Sequence, residues 1–343
     1  MKTKLQSSRT TSIAVFLLAS TAFLPISAVA QDVKYVGMCD ASAAIALDTN
    51  KFIVADDENN ILKIYDRNVA DGPFQKVPLS NVFPGEIQDG DDLEIDLEGA
   101  TVLGDEIFWI GSHSTSKKGK FRPARHRLFA LQIKPEAGGK FAATRSGIIY
   151  TTLVADLEKD TRFNKYKIND AKTIQPKGIG GLSIEGLAAT HEGTLLIGFR
   201  NPLSGGKVKN GRLVGGKALL VRLLNPLEVI EGKEAKFGDP IDLDLDGYGI
   251  RSIESRNKNE YIIVAGPYHE NMPTAGQKRE ESRLYLWSDK LKWLNKIKLN
   301  DLNIEAAFFY PQDDGKSVQL LSDDGNKPSC NSFRSQTEII EAH

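Results

Sequence analysis

The feature that most constrains the fold of this chain is a short unit that recurs along it. In its clearest copy, residues 183–200, two apolar strands are joined by a tight turn at His191-Glu192-Gly193. Glu185 stands just before the first strand, and Arg200 follows the second. Because a hairpin reverses the direction of the chain, both side chains are expected at the same end of the unit.

Five copies of this unit are recognisable, and they begin near Ser42, Glu98, Glu185, Glu254 and Glu305. A glycine closes the second strand 13 residues after Glu98 and after Glu185, and 12 residues after Glu254. The intervals between units vary from 51 to 87 residues. The hairpins are therefore constant in size, whereas the connections between them are not.

Further strands follow the hairpins. Apolar third strands are predicted at residues 61–65, 127–131, 218–223 and 283–287, and a more polar fourth strand at 240–245. Four antiparallel strands repeated about an axis form a blade of a β-propeller. We predict an all-β propeller of five blades. Six blades are the alternative, if the 87-residue interval contains a degenerate one.

The ends of the chain are predicted to close the ring. The fifth unit has no clear fourth strand before the sequence turns polar at Asn326, and residues 32–37 offer the missing strand. The only two cysteines, Cys39 and Cys330, flank this seam, which predicts a disulfide; two unrelated buried thiols are the alternative. Residues 31–343 are thus interpreted as one propeller domain with a polar C-terminal tail.

The N-terminus is typical of a signal peptide. Basic residues precede an apolar run at 13–24, and Ala28-Val29-Ala30 forms a cleavage site, so residues 1–30 are expected to be removed. An uncleaved anchor is the alternative. The protein is expected to be exported to the periplasm or the medium, with no membrane association after cleavage. The formal net charge of -1 argues against non-specific nucleic-acid binding, and a monomer is expected.

The propeller topology predicts where the chemistry lies. The first strand of each blade lines the central channel, so Glu98, Glu185, Glu254 and Glu305 are expected to gather at one mouth. Side chains at the ends of the second strands are expected to surround them: Asp56, Asp57, His113, Arg200, Tyr268, His269 and Asp323.

Two interpretations of this acidic cluster remain open. Converging carboxylates repel one another and must take up protons, meet arginines such as Arg200 and Arg251, or bind a cation. Oxygen ligands without cysteine favour Ca²⁺ or Mg²⁺, which would polarise an ester or phosphate for hydrolysis. Alternatively, each glutamate accepts backbone hydrogen bonds from the next blade and locks the ring, because a feature repeated in every blade serves the fold.

Two loops rich in lysine and arginine, at 112–127 and 201–217, are predicted on the same face. They suit an anionic ligand that arginine could bind in a bidentate manner, or they are mobile and simply balance the acids. His113 and His269 are the candidate general bases, and Arg200 the candidate anion ligand. The G-x-S-x-G, H-E-x-x-H and P-loop motifs do not occur, and the EF-hand-like segment at 242–247 lacks the required glutamate at Ile253.

Three motifs carry a resemblance to a known family. They are Asp-Leu-Glu-Gly at 96–99, Ile-Gly-Ser-His-Ser at 110–114, and Ile-Glu-Gly-Leu-Ala at 184–188 with Leu-Ile-Gly-Phe-Arg-Asn-Pro at 196–202. Together they resemble a bacterial family of secreted β-propellers catalogued as a domain of unknown function, over residues 43–321. The Glu-Gly-Leu-Ala hairpin is also similar to phytase-like and esterase-like propellers. This second resemblance implies a phosphoesterase or esterase, although Ser255 and Ala306 replace the glycine that follows Glu98 and Glu185.

Two functions of different class follow. The first is a divalent-metal-dependent hydrolase of phosphate or carboxylic esters, with the four glutamates as metal ligands. The second is a non-catalytic exported module that binds an anionic ligand or a protein. A metal site beside His113 would favour the first, and a mouth closed by Glu–Arg pairs would favour the second.

Overall fold

The structure is a computed structural model that describes residues 33–90, 93–269, 280–299, 301–325 and 330–341. The predicted signal peptide, residues 1–30, lies outside the described residues. The described strands form five four-stranded antiparallel sheets, which confirms a β-propeller of five blades. In these ranges, the long interval between Glu98 and Glu185 contributes strands only to the second and third sheets.

Within each blade, the strands follow in chain order from the innermost to the outermost. The exception is β1 (Val33–Val36), the first described strand, which is the outermost strand of blade 5. Blades 1 and 2 comprise β2 (Ala41–Ala46), β3 (Lys51–Asp56), β4 (Asn59–Asp66), β5 (Gln75–Pro78), β6 (Leu97–Leu103), β7 (Glu106–Gly111), β8 (Leu128–Pro135) and β9 (Phe141–Tyr150). Blades 3 and 4 comprise β10 (Ser183–Ala189), β11 (Leu195–Lys209), β12 (Arg212–Leu223), β13 (Ile241–Leu243), β14 (Gly249–Asn257), β15 (Glu260–Gly266), β16 (Arg283–Trp287) and β17 (Leu291–Trp293). Blade 5 contains β18 (Ile304–Phe309), β19 (Ser317–Ser322), β20 (Ser332–Ile339) and β1.

Helices are short and lie in the connections. They are α1 (Leu79–Val82), α2 (Leu153–Lys159), α3 (Ile168–Ala171) and α4 (Pro226–Ile230). The region between blades 2 and 3 contains α2 and α3, which pack on the core between these blades through residues such as Leu153, Leu157 and Ile168. No helix within the described ranges combines the length and apolar character needed to cross a membrane.

The ring closes through both ends of the chain, as the sequence predicts. Strand β1 pairs with β20 along its whole length, from Val33 opposite Ser335 to Val36 opposite Ser332. The predicted disulfide between Cys39 and Cys330 is present beside this pair. It indicates an oxidising environment for the folded protein. Part of the predicted polar tail forms strand β20. Most residues of this strand are only partly buried, which is consistent with its polar sequence.

An aromatic cluster packs the seam between the first and last blades. Tyr35, Phe52, Tyr65, Phe308 and Phe333 are fully buried, and their neighbouring rings lie 5.2–5.6 Å apart. Such pairs contribute about 0.5–1.5 kcal/mol each beyond simple burial. The seam is thus held by hydrogen bonds, a covalent bridge and aromatic packing together.

The innermost strands β2, β6, β10, β14 and β18 pack side by side around the channel. The packing between neighbouring innermost strands is tight at two glycines of the hairpins. A Cβ atom at Gly99 would lie 2.8 Å from the Cβ of Leu187 in the next blade. A Cβ at Gly198 would lie 2.6 Å from Cγ2 of Ile250. Glycine at these places allows neighbouring blades to approach.

Candidate functional site

One irregularity is shared by all five innermost strands. Near the end where each strand begins, its pairing with the second strand shifts register, so that one or two residues are left out of the ladder. A β-bulge of this kind redirects a side chain. The side chains placed in this way line one cavity at the channel mouth: Ser42, Glu98, Glu185, Arg251 and Glu305. We call these the bulge positions and this space the mouth cavity.

Glu254 is not one of them, so the prediction that four glutamates gather at one mouth is wrong. Glu254 lies opposite Ile262 in regular register, three residues beyond the bulge residue Arg251. It lines a different cavity, at the opposite end of the channel. The spacing to the glycine that closes the second strand gave the wrong position because the register of that glycine differs between blades. Gly266 pairs with Gly249, two residues before the bulge residue of blade 4, whereas Gly198 pairs with the residue that follows Glu185.

A second landmark in the sequence would have given the correct position. The bulge residue is preceded by an aliphatic residue and followed by a small one, as in Leu-Glu-Gly at 97–99 and Ile-Glu-Gly at 184–186. Ile-Arg-Ser at 250–252 and Ile-Glu-Ala at 304–306 follow the same pattern. The charge changes sign in blade 4, but the position does not.

A buried network of Glu–Arg pairs fills one half of the mouth. Oε1 of Glu185 lies 2.8 Å from Nη1 of Arg200, and its Oε2 lies 2.9 Å from Nε of Arg251. Arg251 also pairs with Glu305, through its Nε at 2.6 Å from Oε2 and through Nη2. All four side chains are at least nine-tenths buried. This half of the mouth is closed by compensated charges that link blades 3, 4 and 5.

The pairs set the protonation states in this half. Burial alone would raise the pKa of Glu185, but Arg200 and Arg251 hold it below its ordinary value. Burial, and then the positive charge of Arg200, lower the pKa of Arg251 to about 10. Glu185 is therefore ionised and Arg251 is charged at neutral pH.

Arg200 is occupied by protein oxygen atoms. Besides Glu185, its Nε donates to the carbonyl of Pro267 at 3.0 Å, and its Nη2 to the carbonyl of His269 at 3.2 Å. All three guanidinium nitrogens are thus engaged: Nε and Nη2 tie β11 to the loop that follows β15, and Nη1 pairs with Glu185 on β10. Arg200 lines the mouth cavity, but its hydrogen bonds serve the scaffold.

The other half of the mouth is mainly acidic. Carboxylate oxygens of Asp57, Asp96 and Glu98 lie within 4.8 Å of one another. Asp57 belongs to a second such group, with Asp40 and Glu58. Asp57 follows β3, while Asp40 and Asp96 precede β2 and β6, so the first two blades supply the whole set. We call these five residues the acidic cluster.

Burial, and then repulsion by neighbouring carboxylates, raise the pKa values of three members of the acidic cluster. Burial, followed by the charge of Asp96, raises the pKa of Asp57 well above its ordinary value. Burial and then Glu185 do the same for Glu98. Burial and then Asp323 raise the pKa of Asp40 to about 7. Oδ1 of Asp57 is buried and accepts no hydrogen bond from any residue that the structure describes. Without an added cation, these carboxyls must hold protons.

Asp96 is held in place by an arginine. Its backbone is in the left-handed conformation, with φ of 58°, and its Oδ2 lies 2.8 Å from Nη1 of Arg125. The other arm of Arg125 lies 2.7 Å from Oε1 of Glu94, and the hydroxyl of Ser112 donates to Asp96. Arg125, which the sequence places in a basic anion-binding loop, thus orients one of the acids.

Two loops reach over the mouth cavity, which has a volume of about 160 Å³. Thr115 donates to the carbonyl of Ile174 at 3.1 Å, and Nδ2 of Asn201 donates to the carbonyl of Gly178 at 2.6 Å. These bonds tether the loops that bring Lys117 and Lys177 to the edge of the cavity. Nine carboxylates and five basic side chains line the space, so its formal charge is negative. A volume of this size holds an ion with a few water molecules.

The structure brings neither predicted histidine base to the acids. His113 is buried, its Nδ1 lies 2.9 Å from the carbonyl of Gly111, and its ring packs 5.3 Å from that of His126. Burial, and then His126, lower the pKa of His113 to about 3, so it is neutral at pH 7. His269 lies 3.5 Å from Glu280 and lines a separate surface pocket with Tyr268.

The remaining residues expected around the mouth divide in the same way. Asp56 is paired with Lys63 at 2.6 Å, and both are buried. The hydroxyl of Tyr268 accepts a hydrogen bond from the backbone of Leu213 at 2.7 Å. Asp57 and Asp323 do line the mouth cavity.

Sequence reasoning missed Asp40 and Asp96 as parts of the site. Both stand two residues before a bulge position, where blades 3 and 5 have Ser183 and Asn303. A polar residue, an aliphatic one and the bulge residue thus begin four of the five innermost strands. This signal was available in the sequence, and three of the four polar residues, Asp40, Asp96 and Ser183, line the mouth cavity.

Comparisons with solved structures and curated sequences say little about the chemistry. A search of curated protein sequences gave no match. Virginiamycin B lyase from Staphylococcus aureus is 8% identical with a TM-score of 0.38, over 91% of this chain and 100% of that chain. Glutaminyl cyclase from Myxococcus xanthus is 11% identical with a TM-score of 0.39, over 91% and 97%. The PQQ-bound aldose sugar dehydrogenase from Streptomyces coelicolor is 11% identical with a TM-score of 0.42, over 91% and 99%. Similarity at this level supports no inference about activity.

A family profile gives a firmer result. It matches residues 40–133 and 126–319, which together span from the start of blade 1 to β19 and include every bulge position. The family is described only as a protein of unknown function, so the profile adds no chemistry of its own. The chain therefore belongs to the family of proteins of unknown function designated DUF3616.

Proposed function

We propose that this propeller binds a divalent cation, Ca²⁺ or Mg²⁺, through Asp57, Asp96 and Glu98, and uses it to bind a small anionic ligand. The observation that carries the proposal is the convergence of three carboxylates within 4.8 Å around a buried Asp57 oxygen that accepts no hydrogen bond from the described residues. A cation would satisfy that oxygen, and its charge would offset the burial and the repulsion that together raise the pKa values of Asp57 and Glu98.

The donor set determines the class of cation. The described residues that line the mouth cavity include carboxylates, hydroxyls and backbone oxygens, but neither cysteine nor histidine. Hard oxygen ligands suit Ca²⁺ and Mg²⁺, whereas zinc sites use sulfur and imidazole. Glu185 and Glu305, which the sequence also suggests as metal ligands, are already paired with arginines. The ligand set proposed here is therefore narrower than that suggested by the sequence, and it lies in blades 1 and 2.

The class of ligand follows from what surrounds the cation site. Lys117 is exposed at the edge of the cavity, and Lys177 lies beside it. A bound cation and two nearby ammonium groups favour an anion such as a phosphate ester or a carboxylate. The closure of the other half of the mouth by Glu–Arg pairs favours binding without chemistry. Since the disulfide indicates an oxidising environment, we place this binding module outside the cytoplasm, in the periplasm or the medium.

Hydrolysis of the bound ester is the second candidate function. Asp40 lines the same cavity, outside the proposed ligand triad, and could accept a proton from an attacking water molecule. A bound divalent cation would supply polarisation of the ester or phosphoryl oxygen. The role of base thus passes from His113 and His269, which lie elsewhere, to a carboxylate.

Calorimetric titration of Ca²⁺ and Mg²⁺ into the purified, chelator-treated protein tests the cation site. We expect saturable binding of at least one ion, lost in Asp57→Asn and strongly weakened in Glu98→Gln. Glu254→Gln is the matched control, because it removes a channel carboxylate at the opposite mouth and should bind normally. Equal affinity in all three variants, or no binding to the unaltered protein, would overturn the proposal.

The ligand is tested separately, with the cation at saturation. Binding of inorganic phosphate and of p-nitrophenyl phosphate should depend on the cation and weaken in Lys117→Met. Release of p-nitrophenol from phosphate or acetate esters, lost in Asp40→Asn, would show the hydrolase. Cation-dependent binding without turnover would show the binding module.

A further inference from the structure

Three neighbouring segments on the mouth face are strongly basic. They are residues 112–127, which follow β7, residues 171–182, which precede β10, and residues 201–217, in the hairpin of β11 and β12. Together they contain twelve lysines and arginines and neither aspartate nor glutamate, although the chain has a formal net charge of -1. The hydrogen bonds that Thr115 and Asn201 donate to the middle segment join all three at their bases. We call these segments the basic loops.

The third basic loop is a projecting hairpin. Its strands pair as far as Lys209 opposite Arg212, well beyond Ser183, where the ladder between β10 and β11 ends. The connecting residues Asn210 and Gly211 have positive φ values of 50° and 74°, which are typical of a tight hairpin turn. This loop therefore extends past the mouth end of blade 3 with a defined backbone.

The basic loops also expose apolar side chains. Thirteen large apolar side chains are exposed among the described residues, and four of them lie on these loops: Phe121, Ile179, Val208 and Val214. Val208 is the most exposed of the thirteen, at 61%, and Phe121 follows at 56%. Each basic loop thus combines lysine with at least one exposed apolar side chain.

Much of the positive charge is available to a partner. Four lysines of the basic loops are exposed and form no ion pair with the described residues: Lys118, Lys120, Lys207 and Lys209. Two acids beside the projecting hairpin are already paired, Glu280 with Arg212 and Asp246 with Arg283. The other carboxylates of the mouth face that are described above line the mouth cavity.

We propose that the basic loops dock the protein on an anionic lipid surface, with lysines against the lipid phosphates and apolar side chains in the headgroup layer. Charge complementarity selects an anionic partner, and apolar side chains on projecting loops can enter that layer singly. Single-stranded nucleic acid would need several aromatic side chains for base stacking, but Phe121 is the only phenylalanine, tyrosine or tryptophan in these loops. A protein interface would favour a central apolar patch depleted of charge.

The contact is peripheral and does not depend on the cation proposed for the mouth cavity. It differs from the sequence-based expectation of no membrane association after cleavage. Lys117 and Lys177, which line the mouth cavity, are not needed for it.

Co-sedimentation of the exported, disulfide-bonded protein with lipid vesicles tests the proposal. Vesicles of phosphatidylglycerol and phosphatidylcholine in equal parts should bind the protein, phosphatidylcholine vesicles should bind it far less, and added salt should weaken the binding. The pair Lys207→Gln and Lys209→Gln should weaken it about tenfold or more, because a lysine near an anionic surface contributes about fivefold. The matched control pair, Lys134→Gln and Lys140→Gln, removes the same charge from exposed positions at the other end of the propeller and should bind normally.

Two substitutions test the apolar side chains. Val208→Ser should weaken vesicle binding, and the added tryptophan of Phe121→Trp should shift its fluorescence to shorter wavelength on anionic vesicles and be quenched by brominated lipid. No binding to anionic vesicles, equal binding to both kinds of vesicle, or equal effects of the two lysine pairs would each overturn the proposal. Binding of soluble polyphosphate without vesicle binding would assign the basic loops to a soluble polyanion and would also overturn it.

Discussion

Replacing Glu185 by glutamine is expected to destabilise the protein, whereas replacing Glu98 by glutamine is not. The two side chains occupy the bulge positions of neighbouring blades, 3 and 2, and each substitution keeps the shape of the side chain. Their electrostatic surroundings differ. Glu185 pairs with Arg200 and Arg251, whereas Glu98 lies beside Asp57 and Asp96 and forms no ion pair with the described residues.

The magnitude for Glu185→Gln follows from the two arginines left behind. Arg200 and Arg251 have only 7% and 8% of their side chains exposed, so both would remain buried with a reduced share of negative charge. Breaking a buried ion pair typically costs about 3–5 kcal/mol. Because glutamine still offers an oxygen to one arginine, we expect about 3 kcal/mol, or a melting temperature lower by roughly 5–10 °C.

Glu98→Gln should behave differently because it removes a source of repulsion. In the presence of a chelator its free energy of unfolding should equal or exceed that of the unaltered protein. Added Ca²⁺ should stabilise the unaltered protein by about 2.7 kcal/mol at a hundredfold excess over Kd, and most of this gain should be lost in Glu98→Gln.

Thermal and urea unfolding of both variants, each with chelator and with Ca²⁺, measure these differences. Glu254→Gln serves as a control for a channel carboxylate that belongs to neither group. Equal destabilisation by Glu98→Gln and Glu185→Gln in chelator would refute the reasoning. It would show that both glutamates lock the ring.

Three further predictions follow from single contacts. The folded-state pKa of Asp40 is raised to about 7, so in chelator its contribution to stability is present at low pH and lost as pH rises from about 4 to 7. Asp40→Asn should therefore reduce the difference in melting temperature between pH 5 and pH 8. An unchanged difference would contradict this prediction. Replacing both Cys39 and Cys330 by serine removes a cross-link between residues 291 positions apart and should lower the free energy of unfolding, measured in urea, by on the order of 5 kcal/mol. A decrease below about 1 kcal/mol would show that the β1–β20 pairing alone is enough to hold the ring closed. Gly198→Ala should cost about 1–3 kcal/mol, because its Cβ would meet Ile250 at 2.6 Å, and wild-type stability would argue against this close approach.

The architecture is readable from the sequence because its signals are local. Strand alternation, turn residues and the spacing after Glu98 and Glu185 are properties of single hairpins, and five such hairpins are sufficient to predict a ring. The pairing of the terminal strands and the Cys39–Cys330 bridge followed from the missing strand in the last blade. The polar β20 was harder to recognise because two of its three buried residues, Ser335 and Gln336, are polar and only Phe333 is apolar.

The site was predicted less well because it depends on relations between blades. The charge at the bulge position of blade 4 belongs to Arg251, so aligning on acids selected Glu254 instead. The inward packing of His113 against His126 depends on a loop that no hairpin pattern describes. Likewise, Asp57 and Asp96 meet only when the first two blades are placed side by side.

The most direct test of the central claim is a crystal structure of the protein grown with Ca²⁺, with the ion located by its anomalous scattering at long wavelength. We expect a peak in the mouth cavity at about 2.3–2.6 Å from carboxylate oxygens of Asp57, Asp96 and Glu98. A map with a well-ordered mouth cavity but no anomalous peak there would contradict the account. Calcium bound by Glu185 and Glu305 instead would also contradict it.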